Sequence, residues 1–193
     1  MQLPNKPKYT YADYANWSDG KRYELIDGEV YMMSPAPSVN HQEISVNLVF
    51  QFATFLKGKT CKVFSAPFDV RLNADAEDDT VVQPDISIVC DPDKIKNGKN
   101  CKGAPDMIIE ILSPSSARRD QFYKFNQYLA AGVKEYWIVY PETKTVQAYT
   151  LTEGQYVGRA YCDADMITVS VLEDCQINLA DVFPAETAPQ EEG

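Results

Sequence analysis

The run "DMIIEIL", residues 106–112, constrains the fold more than any other stretch. Side chains alternate faces along a strand, so Met107, Ile109 and Ile111 share one face, and Ile108, Glu110 and Leu112 the other. Both rows are apolar apart from Glu110. A strand that is apolar on both sides belongs in the middle of a sheet, covered on each face by helices. The pattern therefore calls for an α/β architecture with a central strand here. A chain of 193 residues is long enough to build it as one domain with a substantial core.

The rest of the chain supplies the parts. "YTYADYANW" predicts a short helix with Thr10 as N-cap and Asp13 three residues on. In "RYELIDGEVYMMS" two β-favouring runs flank Asp27-Gly28, the pair preferred in a two-residue hairpin turn. "SVNHQEISVNLVFQFATFLKGK" carries Ile44, Leu48, Phe52 and Phe55 at helical spacing, with Ser38 as cap and Gly58 as stop. "KVFSAPFDVRL" predicts one or two strands, and "NADAEDD" an acidic loop. "SPSSARRDQFYKFNQYLAAGV" predicts a second long helix from Ser-Pro-Ser to Gly132. "EYWIVYP" and "TVQAYTL" are strands around the turn "ETK", and residues 155–180 read as weaker strands and loops. No repeat or linker divides the chain, so residues 1–183 are expected to form a single domain with a mixed sheet, followed by a disordered tail over 184–193.

Composition excludes several classes. An apolar fraction of 45% with 12 tyrosines and 8 phenylalanines suits a globular protein, not a disordered one. No stretch approaches a membrane span, and "MQLPNKPKYT" lacks the apolar core of a signal peptide, so a cytoplasmic location is expected. Five cysteines without any C-x-x-C pair, with His41 as the one histidine, predict neither a zinc site nor a disulfide framework.

Two acids in apolar surroundings carry the functional signal. Glu110 lies in a buried row, where an unpaired carboxylate costs several kcal/mol, roughly, and is normally paired, protonated or bound to a metal. In "VQPDISIV" Gln83, Asp85 and Ser87 form a polar row, and Pro84 places Asp85 at a strand start, an edge or a bulge. The simpler account makes Asp85 a strand-end residue and pairs Glu110 with a lysine. The sharper account has both converge on a divalent cation. Carboxylate oxygens select hard ions such as Mg2+ or Mn2+, and a site open to water and phosphate oxygens favours phosphodiester hydrolysis.

"QPD", 24 residues and then "EIL" at the end of an apolar strand resemble the PD-(D/E)XK nuclease pattern. More specifically, "YELIDGEV", His41, "APFDVRL", "VVQPDISIVC", "GAPDMIIEILSPSS", "RRDQFYKFNQY" and "AGVKEYWIVYP" together resemble the Uma-two family of restriction endonucleases, over residues 9–183. The resemblance implies a restriction-endonuclease-like α/β fold, a central mixed β-sheet flanked by α-helices, that is often a homodimer. It implies Asp85 and Glu110 as metal-binding catalytic acids. Leu112 stands where the superfamily's usual lysine falls, and Lys124 on the following helix matches the family's lysine. Its role would be to orient the attacking water and steady developing negative charge. Glu24 matches a further metal-holding glutamate, with the backbone carbonyl of Ile111 as an additional ligand; paired with a neighbouring base, Glu24 would instead be an ordinary hairpin charge.

Asp120, Lys124 and Tyr128 fall at i, i+4 and i+8 on one helical stripe, with Phe122, Phe125 and Leu129 on another. Either the apolar stripe is core and Asp120–Lys124 an exposed ion pair, or the polar stripe faces the site, with Asp120, Tyr128 and His41 as accessory residues. Charge bears on the substrate. The net charge is −10, yet the window from Lys94 to Lys124 holds seven basic residues against three acids. Lys94, Lys96, Lys99, Lys102, Arg118 and Arg119 are candidate phosphate contacts, in a chain whose acidic remainder suppresses non-specific binding. The expectation is a Mg2+-dependent nuclease acting on nucleic acid, chiefly DNA. The alternative is a nuclease-like fold that no longer cuts and serves as a binding or assembly module.

Overall fold

The computed structural model describes residues 8–33, 37–113 and 119–184, excepting the side chains of 119–121. Most of the expected tail, and the Ser-Pro-Ser start of the second long helix beyond Ser113, lie outside the described residues.

Two sheets pack together. The first has the order β2-β1-β5-β4-β7, built from β1 (Tyr23–Ile26), β2 (Glu29–Met32), β4 (Val70–Arg71), β5 (Val81–Val82) and β7 (Cys101–Lys102). The second has the order β11-β10-β9-β8-β6-β3, built from β3 (Lys62–Ser65), β6 (Ile86–Val89), β8 (Met107–Ile111), β9 (Glu135–Tyr140), β10 (Thr145–Thr152) and β11 (Gln155–Cys162). It is mixed, since β8 and β9 run parallel while β6–β8 and β9–β10 are antiparallel. A two-stranded pair, β12 (Met166–Thr168) with β13 (Gln176–Asn178), follows.

Local chemistry explains the elements. Asp27 and Gly28 have φ of 53° and 76°, the double positive that a tight two-residue hairpin requires. Gly28 is needed twice over, because a Cβ there would meet the Lys8 Cβ at 2.8 Å. After the short α1 (Tyr11–Tyr14), helix α2 (Val39–Leu56) starts at Ser38, whose hydroxyl accepts from the His41 amide at 3.3 Å. Its Ile44, Leu48 and Phe52 are buried against Ile86, Ile88, Met107, Ile109, Ile111 and Trp137, while Phe55 is only partly buried. The 3.6-residue period turns Leu56, rather than Phe55, inward.

The second face of β8 differs from the expectation of helix cover. Ile108 and Leu112 pack on Tyr128 of α3 (Phe125–Ala131), but also on Ile26, Val70 and Val82 of the first sheet. A helix of seven residues is too short to cover the face alone. It begins after a π-helical turn over Arg119–Lys124 and ends at Gly132, with φ of 80° as a left-handed cap requires. Gln127 donates to Asp27 at 2.8 Å, and Tyr123 meets the Tyr31 ring, so the helix is tied to the hairpin.

Three further differences have long-range causes. Cys61 and Cys90 form a disulfide, because the β3–β6 register of Lys62 opposite Val89 places them face to face one step further on. The 29-residue spacing gave no sign of it. β11 is a full eight-residue strand whose exposed edge position removes the apolar alternation that would have announced it. "EYWIVYP", whose aromatic and β-rich composition suits an exposed interface, is instead interior, because β9 lies between β8 and β10. No helix among the described residues is long and apolar enough to cross a membrane.

Candidate active site

Asp85 sits where β6 and β8 part. Ile86 pairs with Ile109, so an uninterrupted antiparallel register would set Asp85 opposite Glu110 and Pro84 opposite Ile111. Instead the Ile111 amide donates to Asp85 Oδ2 at 2.8 Å. The carboxylate thus takes a ladder position and is fixed in the crotch between the two strands. From the opposite side His41 Nε2 lies 3.3 Å from the same oxygen. Burial works to lower the His41 pKa, but the hydrogen bond and charge of Asp85, with backbone at Ile111, raise it above the usual 6.5. His41 Nδ1 is buried with no hydrogen-bond partner among the described residues.

Glu110 is 3% exposed, on the β8 face that meets α3 and the first sheet. Its Oε1 accepts from Lys124 Nζ at 3.0 Å and from the Tyr128 hydroxyl at 2.6 Å. Lys124 Nζ also lies 2.8 Å from Glu24 Oε1, and that oxygen accepts in turn from the Gln83 amide at 3.0 Å. Glu24, Glu110, Lys124 and Tyr128 therefore form one buried polar cluster gathered from both sheets and the helix. Burial, then the Glu110 charge, pushes the Tyr128 pKa well above the usual 10, so the hydroxyl remains a donor.

Both accounts of the acids meet in this geometry. Glu110 does pair with a lysine, and that lysine is the one expected to be catalytic. The polar stripe of the helix is the buried one: Lys124 and Tyr128 point inward, while Phe122 is exposed. Facing two carboxylates, the buried ammonium has the partners that offset its desolvation. The π-helical turn delivers Lys124, and such turns recur at functional sites because they re-aim one side chain without ending the helix. The Asp120 side chain lies outside the described residues.

Other candidates are not gathered here. Lys94 donates to the Ala104 carbonyl at 2.6 Å, and Lys96 pairs with Asp93 at 3.6 Å. Lys102 is on β7, separated from Glu24's strand by β5 and β4. Arg118, and the side chain of Arg119, lie outside the described residues. Gln83 was missed. Besides holding Glu24, it accepts from Arg22 and donates to Asp69 and to the Tyr14 hydroxyl. Nothing in "VVQPD" marks a glutamine as the link between strands.

The donors suit a hard dication. They are carboxylate oxygens, and Asp85 Oδ1 accepts no hydrogen bond among the described residues. They are not already drawn into a cage, for among those residues no three His, Cys, Asp or Glu side chains gather as a metal site. Lys124 stands between Glu24 and Glu110 instead.

The mixed α/β fold is nuclease-like, and a helix-borne lysine stands between acids from its two sheets. The chain belongs to the Uma2 family, described as "Putative restriction endonuclease", which it matches over residues 11–180. That bears out the resemblance drawn from the motifs. It is 31% identical over 124 residues to "Uncharacterized protein slr1290" of Synechocystis sp.; the match spans 63% of this chain and 63% of that relative. Among solved structures it resembles the crystal structure of "a putative nuclease belonging to DUF820" from Anabaena variabilis. That likeness has a TM-score of 0.73 and 22% identity, covers 91% of this chain and 97% of the other, and shows the restriction-endonuclease-like fold.

Proposed function

We propose that this protein is a metal-dependent nuclease that hydrolyses phosphodiester bonds of nucleic acid, most simply DNA. One observation carries the reading: Lys124, 3.0 Å from Glu110 and 2.8 Å from Glu24, stands in a cluster beside the strand crotch that holds Asp85.

Asp85 and Glu110, with Glu24 and the Ile111 carbonyl, would hold Mg2+ or Mn2+. Such an ion, when bound, lowers the pKa of water and neutralises charge on phosphate oxygens. The chain's own groups do the rest. Lys124 carries a proton at Nζ, orients the attacking water and faces the charge that develops on the phosphate. Tyr128 stays protonated and keeps Glu110 Oε1 aimed, Glu24 anchors Lys124 from the hairpin, and His41 steadies Asp85 from α2. Asp120 is an accessory on the Lys124 helix. Lys94, Lys96, Lys99, Lys102, Arg118 and Arg119 are proposed phosphate contacts, and a cytoplasmic homodimer the proposed working form.

The test is incubation of DNA and RNA with wild type and Asp85→Ala in Mg2+, Mn2+ or EDTA. Cleavage that needs metal and disappears in the variant supports the reading; equal cleavage by Asp85→Ala overturns the site. A second reading has its own support, since the lysine already neutralises part of the glutamate charge. A wild type that binds nucleic acid but cuts none in either metal would make this a binding or assembly module.

A further inference from the structure

A cleft of about 420 Å³ opens beside α3, between Phe122, Phe125, Ile138, Tyr140, Gln147 and Tyr149. It lies within the size range of small-ligand sites, and among the described residues no charged side chain lines it. Phe122 is 64% exposed at its rim, a large ring that the core does not use. Tyr149 is held in place: it meets Phe125 edge-on at 5.0 Å and lies over Gly158, where a Cβ would come within 2.7 Å of its ring.

The polar groups are equally defined. Gln147 Oε1 accepts from the Tyr149 hydroxyl at 2.7 Å and from Tyr140 at 3.2 Å. With its oxygen used twice, the amide offers the cleft only N–H donors. Asn126 Nδ2 donates one N–H to the Phe122 carbonyl at 2.8 Å, and its second N–H and its oxygen remain as a donor and an acceptor. A wall of buried rings separates the cleft from the site described above. Phe125 follows Lys124 in the chain, and its ring contacts Tyr136, which contacts Tyr128, the donor to Glu110.

Aromatic walls, no charge among the described side chains, and the N–H donors of Gln147 complement a flat neutral ring that carries a carbonyl. We infer that the cleft receives one unstacked base of a nucleic-acid strand, and favours guanine, thymine or uracil over adenine, which has no carbonyl. Phe122 supplies the stacking face and Gln147 the discriminating donor. This deepens the nuclease reading and rests on its choice of nucleic acid as ligand.

The experiment is fluorescence anisotropy of labelled short oligo-dT and oligo-dA in EDTA, with wild type, Phe122→Ala and Gln147→Met, each checked by thermal melt. Wild type should bind oligo-dT more tightly. Phe122→Ala should weaken both strands by roughly 5- to 100-fold, the loss expected for one base–aromatic stack. Gln147→Met should weaken oligo-dT alone and erase the preference. Phe122 is exposed, so its variant tests the cleft even if Gln147→Met folds poorly. Unchanged affinity in Phe122→Ala, or no preference in wild type, overturns the inference. Cleavage in Mg2+ is scored separately. Cutting with Phe122-independent binding sinks the cleft alone; cleft-dependent binding without cutting upholds the cleft and sinks the nuclease reading; no binding in EDTA overturns the cleft, and the nuclease reading falls with it only when nothing is cut in Mg2+.

Discussion

Lys124 and Glu24 come from elements that share no strand pairing, a π-helical turn and the first hairpin, yet Nζ lies 2.8 Å from Oε1 with both side chains buried. Glu110 completes the arrangement at 3.0 Å. One ammonium thus serves two interior carboxylates, and the consequences differ for each partner.

Lys124→Ala strips both glutamates of their shared cation. Removing one partner of a buried pair costs about 3–5 kcal/mol, so urea melts of the metal-free variant should show a loss of that order. Mn2+ should recover part of it, because a dication can offset the two charges. Cleavage should fall by roughly 10²–10⁴-fold, the range for losing a proton-transfer or charge-stabilising group. A variant as stable as wild type would contradict the buried pairing.

Glu110→Gln should be far milder in the absence of metal. Lys124 keeps Glu24, and the amide oxygen still accepts from Tyr128. The expected cost is about 1–2 kcal/mol, for a charged hydrogen bond replaced by a neutral one. The rise in melting temperature on adding Mn2+ should disappear, and with it cleavage. A metal-induced shift equal to that of wild type would remove Glu110 from the proposed ligands.

Tyr128→Phe isolates one hydrogen bond, since the ring keeps its edge contact with Tyr136 at 5.0 Å. Bonds to charged groups contribute about 1.5–3 kcal/mol, so the urea midpoint should drop accordingly with an unchanged slope. A changed slope would mean that the variant altered the packing rather than the bond.

His41 makes stability depend on pH. Its folded pKa is raised above 6.5, so the stability it contributes is fully present below about pH 6.5 and is lost as pH rises through the folded value. Urea midpoints of wild type and His41→Gln, taken in EDTA across that range, should converge as the solution becomes more alkaline. Divergence would have the wrong sign.

What the sequence disclosed was what local chemistry encodes. Asp27-Gly28 announced the hairpin, Ser38 and the Ile44-Leu48-Phe52 spacing the long helix, and Gly132 the end of α3. The doubly apolar β8 announced the middle of a sheet. Motif resemblance nominated Asp85, Glu110, Lys124 and Glu24, but not that Lys124 would stand between the glutamates. That contact depends on how two sheets and a helix settle against one another. The Cys61–Cys90 bond, the Gln83 link and the exposed edge strand β11 depend on pairing across long stretches of chain, which no local pattern records.

Glu24 belongs to one sheet, Glu110 to the other, and Lys124 to the helix tied to the hairpin. The rivet between the layers and the proposed chemistry are therefore the same three side chains. Sliding one layer by a single ångström would alter the ammonium's distances long before it opened the apolar interior, and misplacement on that scale can cost a hundredfold in rate. Turnover would then act as a strain gauge for the whole assembly. Remote substitutions that leave the melting temperature untouched would register in it first.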